Sequence, residues 1–206
     1  MKASMIPDIV VGRLPVYLRA LQQMAQENRQ VTSSQELGER LGISAAQIRK
    51  DLSQFGEFGK QGTGYQIQYL LEQIREILKV DRVWEIAVVG AGDIGSAVAR
   101  YGGFANRGFT VRMIFDNNAA IIGKRVGNFV VQDTAGMIPV IQNSGIKIAM
   151  IAVPANEAQE VADQLVQAGI KAILNYAPLS LNLPAHVHVQ YIDPVIHLQR
   201  MTYYLE

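Results

Sequence analysis

Three glycines stand at the spacing that lets a polypeptide backbone wrap around a pyrophosphate. They belong to a Gly-Ala-Gly-Asp-Ile-Gly turn that follows an apolar run at residues 86–89 and precedes a helical pattern. In such a turn the first glycine permits the tight bend, the second lets the phosphates approach, and the third lets the helix pack on its strand. The helix N-terminus then faces the negative charge. The pattern predicts a dinucleotide site at Gly90, Ala91, Gly92, Asp93, Ile94 and Gly95.

An acidic residue closes the next predicted strand, about 20 residues past the last glycine. Asp116 ends the run at residues 111–116, where a carboxylate accepts hydrogen bonds from both hydroxyls of an adenosine ribose. The same charge repels the additional phosphate of a 2′-phosphorylated ribose. We therefore predict NAD(H) as the cofactor in preference to NADP(H). The alternative is a structural strand, turn and helix in which Asp116 only caps a loop.

Strands and helices alternate beyond this turn. Apolar runs predict further strands at residues 129–131, 147–153, 171–175 and 187–192, and a helix at residues 157–168. This alternation predicts an α/β fold with a doubly wound parallel sheet, a Rossmann domain at residues 81–192. Ligands of such sheets bind at the carboxyl ends of strands. Further cofactor contacts are therefore predicted at Val153, Pro154, Asn175, Tyr176 and Pro178, although either loop can be an ordinary connection.

A pair of short helices with clear capping signals precedes this domain. Ser33 is followed three residues later by Glu36, and Ser44 is followed three residues later by Gln47. Both pairs have the spacing of a capping box, in which the first side chain accepts a hydrogen bond from the backbone of the second. Gly42 supplies the turn between the helices. The pattern predicts a helix-turn-helix within residues 14–55, after a first helix at residues 9–25.

The second of these helices has a polar face suited to DNA. Because Ile48 and Leu52 point to the core, the opposite face is free to contact bases and phosphates. Asp51 interrupts the basic face, and we expect it to pair with a neighbouring side chain. A solvated helix face without a partner is the alternative. The DNA-binding candidates are Ser44, Gln47, Arg49, Lys50 and Ser53.

Glycines are dense directly after this helix, at residues 56, 59, 62 and 64. Their density predicts a hairpin at about residues 56–65, which would be the wing of a winged-helix domain spanning residues 1–80. Lys60 would lie near its tip and contact a phosphate. A flexible linker is the alternative.

An apolar helix is predicted at residues 193–206. Asp193 provides an N-cap and Pro194 occupies the first helical position. Because apolar residues lie on most sides of this helix, something must cover it. Packing on its own sheet and insertion into a second subunit both remain open.

Composition limits the function classes. The chain of 206 residues has no cysteine, which excludes disulfides, thiolate zinc sites and cysteine nucleophiles. Its apolar runs are too short and interrupted to span a bilayer, so we expect a cytoplasmic protein without a membrane partner. The formal net charge is +1, so DNA binding must come from the local placement of charges. We expect no metal site, because the sequence contains no supporting cluster of ligands.

With these features, the sequence resembles the Rex family of bacterial redox-sensing transcriptional repressors. The resemblance implies a homodimer whose winged-helix domains bind palindromic operator DNA and whose Rossmann domains release it on binding NADH. It also implies that the terminal helix is exchanged between subunits. The matching segments cover nearly the whole chain: residues 13–15, 47–53, 55–65, 90–95, 101–104, 115–116, 152–154, 169–178 and residue 193.

The resemblance also implies a redox-dependent polar switch formed by an arginine, a tyrosine and an aspartate. By motif these are Arg13, Tyr101 and Asp193. Some relatives have an aromatic residue after the aspartate, where this chain has Pro194.

Two other functions compete with this interpretation. A small NAD-dependent dehydrogenase would need a positioned acid or base, but the three histidines crowd the end of the chain and no separate substrate domain follows. We therefore predict that the chain is not an enzyme. The second competitor is a winged-helix regulator that binds another nucleotide, such as the adenine part of coenzyme A. Asp116 disfavours it, because a ribose phosphate would be repelled.

Overall fold

A computed structural model describes residues 6–59 and 64–205 of the chain. The chain divides into two compact units, Met1–Arg82 and Val83–Glu206. The boundary lies two residues after the end of the predicted winged-helix domain. The predicted phosphate contact Lys60 lies outside the described residues.

The N-terminal unit packs helices around one apolar core. Its largest buried side chains include Leu14, Tyr17 and Ile48. In the described ranges its elements are α1 (Asp8–Val11), α2 (Leu14–Gln26), β1 (Val31–Thr32), α3 (Ser34–Leu41), α4 (Ala45–Leu52), β2 (Tyr65–Gln66) and α5 (Ile67–Ile77). The helices α3 and α4 form the predicted helix-turn-helix.

Local signals set the ends of these helices. The Ser33 and Ser44 hydroxyls accept hydrogen bonds from the backbone N–H groups of Glu36 and Gln47, at 3.1 and 3.2 Å, as the capping boxes predict. Gly42 ends α3 in the left-handed conformation, with φ +67°. The first helix predicted from residue 9 to 25 is found, interrupted in its opening turn, as α1 and α2. Pro15 lies in the first turn of α2, where its missing N–H costs no helical hydrogen bond.

The predicted wing differs from a simple hairpin in its pairing. Strand β2 pairs antiparallel with β1, whereas residues 56–59 form no strand. The two arms of the loop still approach each other, since a Cβ added at Gly59 would lie 2.6 Å from the carbonyl oxygen of Gly64. Glycine is therefore required where the arms meet.

The C-terminal unit is a seven-stranded sheet in the order β5-β6-β4-β3-β7-β8-β9. Its strands are β3 (Trp84–Val89), β4 (Phe109–Asp116), β5 (Arg125–Val126), β6 (Phe129–Asp133), β7 (Ile148–Ile151), β8 (Ala172–Asn175) and β9 (His188–Tyr191). Only the short β5 pairs antiparallel with its neighbour among these described strands. This is the predicted doubly wound Rossmann sheet.

Three helices of this unit pack on the sheet: α6 (Asp93–Arg100), α7 (Met137–Ser144) and α8 (Ala155–Gln167). The last helix, α9 (Pro194–Thr202), buries none of its residues. Short 3-10 turns lie at Gly102–Arg107 and Thr134–Gly136. Buried apolar clusters lie on both faces of the sheet. Helix α7 and the β5–β6 hairpin are absent from the sequence prediction, and α9 ends at Thr202 although its helix was predicted to reach residue 206.

The register of the parallel strands brings the candidate loops to one edge. Val89 is opposite Phe115 on one side and Ile151 on the other, and Ile151 is opposite Asn175. The segments after β3, β4, β7 and β8 therefore begin side by side. This edge is where the sequence predicts the cofactor.

Candidate functional site

The glycine turn after β3 has the shape that a pyrophosphate requires. Gly90 adopts φ +97°, and a Cβ there would overlap the carbonyl oxygen of Ala152. A Cβ at Gly95 would overlap the carbonyl oxygen of Gly90, so α6 packs against the turn only because Gly95 has no side chain. Gly92 is different, since an added Cβ would meet no described atom within 4 Å. The missing side chain at Gly92 leaves open space before the N-terminus of α6.

That space belongs to a cavity of about 340 Å³ at the carboxyl edge of the sheet. Five predicted cofactor residues line it: Gly90, Gly92, Asp116, Val153 and Pro154. Other lining residues were not predicted from the sequence, among them Asn117, Asn118, Thr134, Ala152, Glu157 and Glu160. Asn117 could have been predicted because it directly follows Asp116. Glu157 could have been predicted because it lies in the first turn of the predicted helix after Pro154. A dinucleotide fits this site, because the cavity joins the glycine turn to a strand-end carboxylate.

Asp116 is held in place by the loops that it joins. Its carboxylate accepts hydrogen bonds from the backbone N–H of Ala91 at 2.6 Å and from that of Asn118 at 2.8 Å. An ionised carboxylate has about four acceptor positions, so capacity remains for ribose hydroxyls. Asn117 extends the same wall by donating to Glu157 at 3.0 Å. The loop-capping alternative and the ribose-binding role are therefore compatible.

The remaining predicted cofactor residues do not line this cavity. Ala91 is buried and contributes its N–H to Asp116, whereas Asp93 and Ile94 are exposed on α6. Asn175 is fully buried, with its amide bonded to the backbone of Ala177 and Leu179 at 2.9–3.0 Å. The polar side-chain atoms of Asn175 shape their own loop, and its contact with a cofactor stays a prediction.

That loop contains the last two candidates. Tyr176 is half-buried, and burial raises the pKa of its hydroxyl. Pro178 is exposed. Both follow β8, next to the edge position of β7, so they stay predictions for the part of a cofactor beyond the cavity.

Helix α4 presents part of its predicted DNA-binding face. The Arg49 guanidinium donates to the Ser34 hydroxyl at 2.9 Å, and the Ser53 hydroxyl donates to the Lys50 carbonyl at 2.9 Å. Arg49 and Ser53 line a cavity of about 600 Å³ between α4 and the loop that ends at Tyr65. Arg49, Lys50 and Ser53 remain available at the surface.

Two other DNA-binding candidates have structural bonds. Ser44 caps α4 through its hydroxyl, although its place at the helix N-terminus still suits a phosphate. The Gln47 amide donates to Asp51 at 2.7 Å, so its side chain turns towards the buried side of the helix. A DNA contact by Gln47 stays a prediction, although Asp51 binds part of its amide in this structure.

Asp51 is the centre of a buried polar cluster. Its side chain has no exposed surface and accepts hydrogen bonds from Arg13 at 2.5 and 2.7 Å and from Tyr17 at 2.6 Å. Burial alone would raise the pKa of the Asp51 carboxyl, but the hydrogen bonds from Arg13, Tyr17 and Gln47 together hold that pKa below its ordinary value. Burial and the bond to Asp51 raise the pKa of the Tyr17 hydroxyl. The expectation that Asp51 pairs with a nearby side chain is confirmed.

The predicted switch residues have separate partners. Arg13 is bound to Asp51 inside the N-terminal unit. Tyr101 is about half exposed and packs edge-to-face on Phe104, with ring centroids 5.1 Å apart. Asp193 caps α9 by accepting from the Val195 N–H at 2.9 Å. Asp51 uses two of the five N–H groups of the Arg13 guanidinium, so donors remain for a further partner.

Helix α9 buries none of its residues in the single chain described. Its apolar side chains Val195, Ile196, Leu198 and Met201 are between 55 and 61% exposed. Packing of this helix on its own sheet is therefore excluded as the explanation of its apolar surface.

Within the described ranges, no helix is both long and apolar enough to cross a membrane.

Comparison with known proteins covers both units. A family model described as "Putative DNA-binding protein N-terminus" matches residues 5–53, and one described as "CoA binding domain" matches residues 81–179. The redox-sensing transcriptional repressor Rex of Chloroflexus aggregans is 52% identical over 97% of this chain and 94% of its own length. The chain belongs to the Rex family. The Rex repressor of Brevibacillus brevis is 45% identical over 99% of both chains.

Solved Rex-family structures match the fold closely. The repressor RSP in complex with β-NAD⁺ and operator DNA has a TM-score of 0.93 and 36% identity, covering 98% of this chain and 93% of its own. RSP in complex with β-NADH has a TM-score of 0.90 and 34% identity, covering 98% of this chain and 95% of its own. The predicted family, the N-terminal DNA-binding domain with a C-terminal Rossmann domain, and the function as a non-enzymatic redox-sensing transcriptional repressor are confirmed.

Proposed function

We propose that this Rex-family chain binds operator DNA through α4 and NAD(H) through the cavity after β3, and that NADH releases the DNA. The observation that supports it most directly is the open position at Gly92 beside the Asp116 carboxylate, in the same chain as a capped helix-turn-helix. Structures of RSP, of the same family, have been solved with β-NAD⁺ and operator DNA and with β-NADH.

NAD(H) suits the cavity better than coenzyme A, despite the description of the matching domain model. Coenzyme A and NADP(H) both carry a phosphate on the adenosine ribose, and the cavity is lined by the carboxylates of Asp116, Glu157 and Glu160. These negative charges repel a ribose phosphate and accept hydrogen bonds from free ribose hydroxyls. The pyrophosphate would lie against the glycine turn, facing the N-terminus of α6.

Two copies of the chain would act together. The exposed apolar face of α9 supports a homodimer in which this helix is exchanged between subunits. Two α4 helices would then enter half-sites of a palindromic operator, where spacing of about one helical turn tolerates little displacement. Arg13, Tyr101 and Asp193 stay the proposed redox switch, and we place the repressor in the cytoplasm.

Titration of both nucleotides against DNA tests this function. A fluorescent duplex, selected by the full-length chain from a random library, is followed by anisotropy at fixed salt while NADH or NAD⁺ is added. We expect release by NADH at concentrations where NAD⁺ has little effect, with a coupling of about 1–3 kcal/mol. Equal response to both nucleotides would refute redox sensing, and absence of any selected sequence would refute operator binding.

A further inference from the structure

A carboxylate on the DNA-facing helix α4 is buried and fully hydrogen-bonded. Both oxygens of Asp51 accept two bonds: Oδ1 from Arg13 and Gln47, and Oδ2 from Arg13 and Tyr17, with all four distances between 2.5 and 2.7 Å. Every buried side-chain polar atom that the structure describes has a partner. Asp51 therefore has no acceptor position left for DNA or water.

Stability alone does not account for this arrangement. Replacing a buried ion pair by apolar side chains of similar volume is often neutral or stabilising, because removing two charges from water is costly. The neighbours Ile48 and Leu52 on α4 are already buried in the apolar core. Apolar contacts have no preferred direction, whereas four hydrogen bonds to one carboxylate fix its position.

The position of this carboxylate fixes the rotation of α4. At about 100° per residue, Arg49 and Ser53 lie two positions from Asp51 on either side and so point away from it. Both line the cavity between α4 and the loop that ends at Tyr65, as this rotation requires. Gln47, one turn before Asp51, points to the same buried side and is bound there. The hydrogen bonds that hold Asp51 inward therefore also decide which side chains of α4 point outward.

We propose that Asp51 is a positioning residue for DNA recognition, clamped to α2 by Arg13 and Tyr17. This clamp, formed by the hydrogen bonds from Arg13 and Tyr17 to Asp51, fixes the rotation of α4 about its axis and its position along α2. It therefore determines which side chains of α4 contact the operator. Arg13 and Tyr17 are one helical turn apart, so both grip the carboxylate from the same side of α2. This inference rests on the proposed binding of operator DNA by this chain.

A loosened clamp should reduce sequence selectivity more than DNA affinity in general. Contacts to phosphates carry no sequence information and adapt to small shifts of a helix, whereas base contacts need a fixed geometry. The ratio of affinities for selected and scrambled duplexes therefore separates a positioning role from a general loss of folding.

The test compares an apolar replacement of the clamp with the same replacement elsewhere. The double variant Arg13→Met with Asp51→Leu removes the clamp without leaving an unpaired buried charge. The control is Glu27→Leu with Arg40→Met, which removes another two-bond Arg–carboxylate pair of the same unit, at 2.7 and 2.8 Å, that joins the end of α2 to α3 and includes no residue of α4. Tyr17→Phe removes one hydrogen bond to Asp51 and keeps the aromatic ring, and it tests the same inference if the double variant does not fold.

Full-length wild type first selects a duplex from a random library, and anisotropy then measures affinity for that duplex and for a scrambled one. We expect the clamp variant to lose at least about tenfold in the affinity ratio, Tyr17→Phe to lose about three- to tenfold, and the control to keep the wild-type ratio. NADH affinity should be unchanged in Tyr17→Phe and in the control, both of which keep the proposed switch residue Arg13. An unchanged ratio in the folded clamp variant, or in Tyr17→Phe, overturns the inference alone. Failure of the wild type to select any sequence overturns operator binding and the inference with it.

Discussion

Replacing Asp116 by alanine should change which nucleotide the Rossmann unit prefers. The carboxylate lines the cavity and has acceptor capacity beyond its bonds to Ala91 and Asn118. A hydrogen bond to a charged group contributes about 1.5–3 kcal/mol, so loss of one ribose contact should weaken NADH binding about 10- to 150-fold. A phosphate on the ribose would no longer meet this negative charge, and NADPH binding should weaken less or improve. The NADPH-to-NADH ratio of Kd values should therefore fall at least about tenfold.

The ratio separates binding from loop stability. Asp116 also holds two backbone N–H groups, so its loss disturbs the glycine turn, but that disturbance affects both nucleotides alike. Titration calorimetry with NADH and NADPH measures the ratio. Asp133→Ala is the matched control, because Asp133 ends the neighbouring strand opposite Asp116 and caps its own loop at 2.9 Å outside the cavity. Equal weakening of NADH and NADPH by Asp116→Ala would refute ribose recognition and leave the carboxylate a structural role.

Three further predictions concern DNA, assembly and pH. Arg49→Ala or Lys50→Ala should weaken operator binding by about 1–3 kcal/mol at a base contact while NADH titration stays unchanged; equal loss of both would contradict the assignment. Leu198→Asp on exposed α9 should yield monomers in light scattering, whereas Val130→Asp, exposed on β6, should not. Asp51 should stabilise the fold above about pH 4, and this stabilisation should disappear as the pH falls through its lowered pKa. The urea midpoints of wild type and Asp51→Asn should therefore converge in acid. A difference that stays constant with pH would argue against stabilisation by the ionised Asp51 carboxylate.

Features that depend on neighbouring residues in sequence were predictable. The hydroxyls of Ser33 and Ser44 each cap a helix by accepting a hydrogen bond from the backbone N–H three residues later, and both caps are found. The glycine turn also follows from a local pattern, because Gly90 and Gly95 allow approaches that any Cβ would block. Asp116 was predictable because parallel register places a strand end beside that turn.

Side-chain directions that depend on distant partners were not predictable. Gln47 lies on the predicted helix, but Asp51 draws its amide inward, and Asp51 is in turn held by Arg13 from 38 residues earlier. Asn175 lies at the predicted edge, but its amide bonds the loop that follows it. In both cases the backbone position was right, and competition for a buried hydrogen bond decided where the polar group points.

The clamp also limits how DNA release can work. If Asp51 joins α4 to α2 by the three short bonds from Arg13 and Tyr17, moving α4 alone would leave a buried charge without these partners, which is strongly destabilising. A change that leaves the DNA-binding unit intact avoids this penalty. In the proposed homodimer, displacement of whole units is sufficient, because the spacing of two α4 helices must match half-sites about one turn apart. Selectivity would then be set within each DNA-binding unit and redox control by the spacing between the two. The variant Tyr17→Phe, which keeps the proposed switch residue Arg13, and variants of α9 should therefore affect different measurements.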